Sequence, residues 1–206
     1  MDITVVDYGV GNLGAIPNML KRLGATAEIT SDPGRIEHAK KLILPGVGAF
    51  DAAMANLREL GLIEILDHQV KRRRVPILGL CLGMEILARS SEEGVLPGFG
   101  WIPSEVVRFR SDQMLERPLP VPMMGWNYVQ VVRPNALVAN LGSDPRFYFA
   151  HSYHLVCDDP ADVIGITTYG YDFPSVVARG SVMGAQFHPE KSHRFGIKIF
   201  ENFLGI

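Results

Sequence analysis

The sequence predicts an α/β fold built on a mostly parallel sheet. Three observations carry this. The first half holds apolar runs without polar alternation, the mark of strands buried on both faces. Segments of helical periodicity lie between those runs. In the second half the runs become short and are separated by Pro, Gly and Asp, which predicts antiparallel strands added to the sheet.

The elements follow in order. ITVVD (3–7), KLILPG (41–46) and VPILGL (75–80) are the buried strands. Leu13, Ile16, Leu20 and Leu23 repeat at helical spacing after the first strand. Two more helices are predicted around Phe50–Arg58 and over Leu62–Lys71. Strand and helix alternating in this way imply right-handed crossovers. Short strands are expected at 105–109, 128–132, 147–150, 163–168 and 175–178. VMGAQF (182–187) reads as a buried strand again, 194–204 as a closing helix, and the Pro-rich 117–124 as an extended loop.

The 206 residues suffice for one domain with a well-buried core. With 20% charged residues and a net charge of −2, the chain is a poor match for nucleic acid or an anionic membrane. No apolar run reaches membrane-spanning length and no signal peptide opens the sequence. Cys81 and Cys157 are the only cysteines, too few for a disulfide framework, so a reducing cytoplasm is expected. No His/Cys cluster has metal-ligand spacing, and neither metal nor cofactor is expected.

Residues 79–91 read GLCLGMEILARSS. Cys81 stands between two glycines, after a strand and before a helical stretch, and G-x-C-x-G has the spacing of a nucleophile elbow. Gly79 and Gly83 omit side chains that would clash where the turn folds back. A cysteine there sits at a helix N-terminus, which is expected to lower its pKa. The N–H of Leu82 is then placed to stabilise an oxyanion. The competing reading is a buried cysteine acting as a small hydrophobe; the paired glycines argue against it.

A thiolate nucleophile needs a base, and the base needs an orienting group. His188, in AQFHPEKS (185–192), ends an apolar strand. If 188–190 are extended, His188 and Glu190 point to the same side. A strand-end histidine beside a solvated glutamate is the plain alternative. His38, His68, His193 and the pair His151/His154 have no carboxylate at a fixed offset.

GLCLGM together with FHPEKS resembles the class I (triad) glutamine amidotransferases. DYGVGN (7–12), LPGVGAF (44–50), SSEEG (90–94), GWN (125–127) and HSY (151–153) narrow the likeness to the glutaminase subunit of imidazole glycerol phosphate synthase, over nearly the whole chain. The resemblance implies a flavodoxin-like amidotransferase fold in one domain: a mixed, mostly parallel sheet with helices on both faces and antiparallel additions in the second half. It implies a Cys81–His188–Glu190 triad that hydrolyses glutamine. It places a second oxyanion donor at Val47, and makes Gly46, Gly48, Glu85, His151, Ser152 and Tyr153 substrate-binding residues. It also implies a heterodimer with a (βα)8-barrel cyclase that receives the ammonia, with Asn12, Trp126, Tyr148 and Lys191 on the shared face. No cofactor follows from it.

One position departs from the family. Glu85 stands where these enzymes usually carry glutamine, one helical turn after Cys81. A carboxylate there suits a substrate α-ammonium, but it would raise the cysteine pKa and repel an α-carboxylate. The bland alternative has Glu85 pointing to solvent.

Other functions compete. GVGNLG (9–14) is a literal GxGxxG after a strand, with Glu28 and Asp32 about 20 residues on, the spacing of a dinucleotide-binding turn and hence of an oxidoreductase. Against it, Asp7 puts an anion at the strand end, where a diphosphate would lie. Paralogues of the subunit that supply ammonia to surface-polysaccharide sugar biosynthesis are a closer alternative, suggested by GNLGAIPNML and HPEKSHRFG. A non-enzymatic activator of a synthase is a third, should Glu85 abolish hydrolysis. Cys157 is expected to be a packed strand residue, Lys71–Arg74 a solvated helix end, and Trp101 and Trp126 packing or interface residues.

Overall fold

The computed structural model describes residues 2–11, 13–110, 112 and 119–206. Five strands, β1 (Ile3–Val6), β2 (Ala27–Thr30), β3 (Leu42–Gly46), β4 (Ile77–Cys81) and β13 (Val182–Ala185), run parallel in the order β2-β1-β3-β4-β13. The first three apolar runs, as β1, β3 and β4, are therefore neighbours in space, and the fourth, as β13, lies beside β4. On the β13 side the sheet continues antiparallel through β12 (Asp172–Arg179), β11 (Val163–Thr168) and β8 (Gln130–Val131).

Both faces are covered. Helices α2 (Pro33–Glu37), α3 (Phe50–Glu59) and α4 (Leu62–Lys71) bury Ile36, Met54, Leu57 and Leu66 against Val6, Leu42, Leu44 and Ile77. On the other face α1 (Ala15–Arg22) and α6 (His193–Gly205) bury Ile16, Leu20, Ile199, Phe200 and Phe203 against Ile3, Val5, Ile43, Leu78 and Leu80. Burial of strand residues from both sides explains why β1, β3 and β4 show no polar alternation.

Three expectations need correction. The second-half strands do not all join the main sheet. β6 (Ser104–Arg108) pairs with β10 (Tyr153–Cys157) and with the short β5 (Ser90–Ser91), while β7 (Met123–Tyr128) pairs with β9 (Arg146–His151), as two separate sheets. The stretch 128–132 is not one strand, since β7 ends at Tyr128 and β8 begins at Gln130. The loop expected over 117–124 gives way to β7 at Met123; residues 117 and 118 lie outside the described residues. β2 and α2 carry no strong periodicity: the α2 start is set by Asp32, whose side chain accepts from the N–H groups of Gly34 and Arg35 ahead of Pro33.

The β1, β3 and β4 ends open on one edge. The chain leaves β1 for β2 on one side and reaches β3 on the other, so this edge is a topological switch point, where open α/β sheets place their ligands.

Candidate active site

Cys81 ends β4, and α5 (Leu82–Glu85) starts at once. The turn holds Cys81 at φ +53° and ψ −114°, a backbone conformation that L-residues rarely adopt. Its glycines are steric necessities. A Cβ on Gly83 would overlap the carbonyl oxygen of Leu44, and one on Gly79 would overlap the Gly83 carbonyl group. Gly46, paired in register with Cys81, has the Tyr8 hydroxyl 2.7 Å and the Leu82 Cβ 2.9 Å from where its own Cβ would stand. Tyr8, fully buried beneath, donates its hydroxyl to the carbonyl oxygen of Pro45. The floor of the elbow is therefore backbone on backbone.

β13 neighbours β4, with Ala185 in register with Leu80. The chain continues past Ala185 through Gln186 and Phe187 to His188, so His188 emerges at the same edge as Cys81. Its backbone N–H donates to the Tyr148 carbonyl oxygen at 2.9 Å, tying it to β9. His188 Nδ1 lies 2.8 Å from Glu190 Oε1, and both residues are largely buried. The contact does not arise from an extended segment as expected. Pro189–Lys191 form a 3-10 turn, whose tight winding brings Glu190 back to the ring. Ser192 Oγ donates to the His188 carbonyl oxygen at 2.6 Å and fixes the turn.

A cleft of about 190 Å³ opens at Cys81, lined by Val47, Gly48, Leu82, Glu85, Glu93, Pro122, Ala150, His151, Ser152 and Tyr153. A smaller cavity, shared through Val47, is lined by Gly11, Pro45, Gly46, His188 and Glu190. Gly46 thus faces the histidine side rather than the cleft itself. Gly48 adopts φ +122° with open space around it, and Val47 is exposed.

The lining is acidic. Glu85 is 5% exposed, not solvated, and accepts from Gln186 Nε2 at 2.9 Å. Burial, with the charge of Glu93 added, pushes its carboxyl up to about 7 despite the Gln186 N–H. Glu93, from the SSEEG segment, accepts the Phe50 N–H at 2.8 Å. The cysteine expectation is overturned. Burial first, then the Glu85 charge, push the Cys81 thiol up, and these outweigh the Leu82 N–H that favours the thiolate. A helix of one turn supplies too little dipole to reverse them. His151, packed among Phe109, Phe149 and Phe173, is driven down to about 3 by burial; its Nδ1 lies 2.6 Å from the Tyr153 carbonyl oxygen, which makes Nδ1 the donor.

Of the residues assigned to a partner face, Trp126, Tyr148 and Lys191 come together. The Trp126 and Tyr148 rings meet edge to face at 6.2 Å, and Lys191 Nζ lies 5.4 Å from the Tyr148 centroid. Met124, Trp126 and Tyr128 form the outward side of β7 and are 67%, 45% and 53% exposed. Asn12 lies outside the described residues. Trp101 is buried, stacks on Phe99 at 3.9 Å and donates Nε1–H to Asp67. Sequence reasoning missed two residues of the site. Glu93 was visible only inside a family motif, and Gln186 reaches Glu85 across 101 positions.

Residues 4–205 match the family model described as glutamine amidotransferase class-I. The chain belongs to that family. It is 49% identical over 202 residues to "Imidazole glycerol phosphate synthase subunit HisH 2" of Methanococcus maripaludis, covering 98% of each chain. It is 48% identical over 204 residues to the protein of the same name in Pseudomonas aeruginosa, again with 98% of each covered. A crystal structure of a glutamine amidotransferase shares the fold, with a TM-score of 0.74 at 22% identity over 98% of this chain and 99% of that one. Membership gives the amidotransferase its fold and enzyme class. Among the described residues, no helix is long and apolar enough to cross a membrane.

Proposed function

We propose that this chain is the glutamine-hydrolysing subunit of an imidazole glycerol phosphate synthase in histidine biosynthesis, acting as a single amidotransferase domain. The observation that carries the chemistry is the His188–Glu190 contact at the edge where β4 presents Cys81 on a strained turn. The relatives' names carry the pathway.

In this reading His188 takes the Cys81 proton as the sulfur attacks the carboxamide carbon of glutamine. Glu190 holds the ring through Nδ1, leaving Nε2 for proton transfer. Leu82 and Val47 N–H groups receive the oxyanion. The tetrahedral intermediate collapses to a γ-glutamyl thioester as His188 returns the proton to the leaving ammonia. Water, deprotonated by His188, then cleaves the thioester to glutamate and regenerates the thiol. The raised thiol pKa means that the resting cysteine is protonated, so deprotonation accompanies attack rather than preceding it. Ammonia passes to a (βα)8-barrel cyclase docked over Trp126, Tyr148 and Lys191.

The test replaces Cys81 with Ala in the complex with a histidine-pathway barrel. Glutamine-dependent synthesis should be lost and ammonium salts should restore it. Glutamine turnover near wild type would refute the assignment. A second reading keeps the hydrolysis and changes the acceptor, to a synthase of surface-polysaccharide sugars. The segments GNLGAIPNML and HPEKSHRFG favour keeping it. Failure to bind the histidine-pathway barrel, with hydrolysis intact beside another barrel, would select it.

A further inference from the structure

We propose that Gln186 is a positioning residue that turns Glu85 into the receptor for the α-ammonium group of the substrate amino acid. The inference rests on the glutaminase reading and concerns the part of the cleft away from the scissile carboxamide.

Gln186 is completely buried and follows β13 directly; its backbone N–H is already spent on the Ser175 carbonyl oxygen at 2.9 Å. Its side-chain Nε2 makes the one bond to Glu85 Oε1. Its other amide atom, Oε1, is buried and finds no donor among the described residues. A buried amide with half its capacity unused is costly, so the orientation must be imposed by the bond it does make. An ionised carboxylate only accepts, so the amide has to present nitrogen to it. With Oε1 of Glu85 held in this way, the rest of the carboxylate is left for the cleft it lines.

The cleft has a use for that charge. Its ionisable lining consists of Cys81, Glu85, Glu93, His151 and Tyr153, with no lysine or arginine among the described residues. Two carboxylates in one cleft raise each other's cost of ionisation unless a cation joins them. An amino-acid substrate brings one such cation, its α-ammonium, at the end remote from the carboxamide. Gln186 selects for it indirectly: by donating to Glu85 it favours the ionised form and fixes its direction. A substrate without the free ammonium leaves both carboxylates unpaired.

The experiment uses the whole complex with its barrel and measures kcat and KM for L-glutamine and for Nα-acetyl-L-glutamine. The variants are Gln186→Met, which keeps length and removes the donor, Gln186→Glu, Glu85→Gln and the double substitution Glu85→Gln/Gln186→Met. A positioning role predicts that Gln186→Met raises KM for glutamine about tenfold or more with kcat little changed, the size of one hydrogen bond to a charged group. Discrimination against the acetylated substrate should fall in parallel, and Gln186→Met should have little further effect once residue 85 is Gln. Equal losses of kcat at either residue 85, with discrimination intact, would show a merely structural role and overturn the proposal. Should Gln186→Met fail to fold, Gln186→Glu reads the same outcomes, with its like charge predicted to raise KM further. Absence of Cys81-dependent glutamine hydrolysis in the unsubstituted complex would instead refute the glutaminase reading.

Discussion

Replacing Glu85 with Gln removes a buried charge and keeps the shape. The wild-type carboxyl is moved from an ordinary 4.5 to about 7, chiefly by burial. At ~1.4 kcal/mol for each pH unit by which an ionisation is displaced, holding it ionised in the fold costs roughly 3 kcal/mol. The sign follows from proton counts. Between pH 4.5 and 7 the unfolded chain has released a proton that the folded chain still holds, so wild-type stability falls as pH rises through that window. Above pH 7 the whole cost is present, and below 4.5 it vanishes. A glutamine carries no such cost, and its amide can also donate to the unused Oε1 of Gln186. Glu85→Gln should therefore be more stable than wild type by up to roughly 3 kcal/mol at pH 8, with the gain shrinking toward zero near pH 4.5. Urea unfolding followed by tryptophan fluorescence at pH 5, 6.5 and 8 measures it. A difference that stays the same at all three values would refute the reasoning. The same substitution should speed alkylation of Cys81 by iodoacetamide at pH 8, because Glu85 is the leading charge that disfavours the thiolate.

Three other outcomes are expected. Gly83→Ala drives a methyl group into the Leu44 carbonyl oxygen, where backbone cannot yield, and should cost about 3 kcal/mol or more in denaturant unfolding, or abolish soluble protein. Glu190→Gln leaves the turn in place but removes the carboxylate that holds His188, and should cut glutamine-dependent synthesis on the order of 10³-fold while sparing the ammonia-dependent rate. Glutaminase activity of the isolated chain should be weak and rise when the barrel and its ligand are added, since Gly48 at φ +122° with open space around it allows the Val47–Gly48 peptide to reorient; equal rates with and without the barrel would exclude such coupling.

The sequence alone marked β1, β3, β4 and β13, because strands buried on both faces are apolar nearly throughout; β2, only half-buried, carried no such signal. It also marked the elbow, because Gly79 and Gly83 sit where the turn folds back on Leu44 and on itself, and a side chain at either is excluded. His188 and Glu190 stood out for the same local reason: two residues of separation keep their side chains within reach, although a 3-10 turn and not a strand does so. Only the tertiary structure decided the rest. Whether Glu85 met solvent or cleft was undecidable from helix spacing; it is settled by the Gln186 amide arriving from 101 residues away. The separate pairing of β6 with β10 and of β7 with β9 likewise depends on which distant edges meet. The thiol pKa reversed its expected direction because burial is a property of everything packed around Cys81, whereas the helix dipole was the one contribution readable from its neighbours in the chain. Local sterics are written in adjacent residues; desolvation and long-range pairing exist only after the chain has closed on itself.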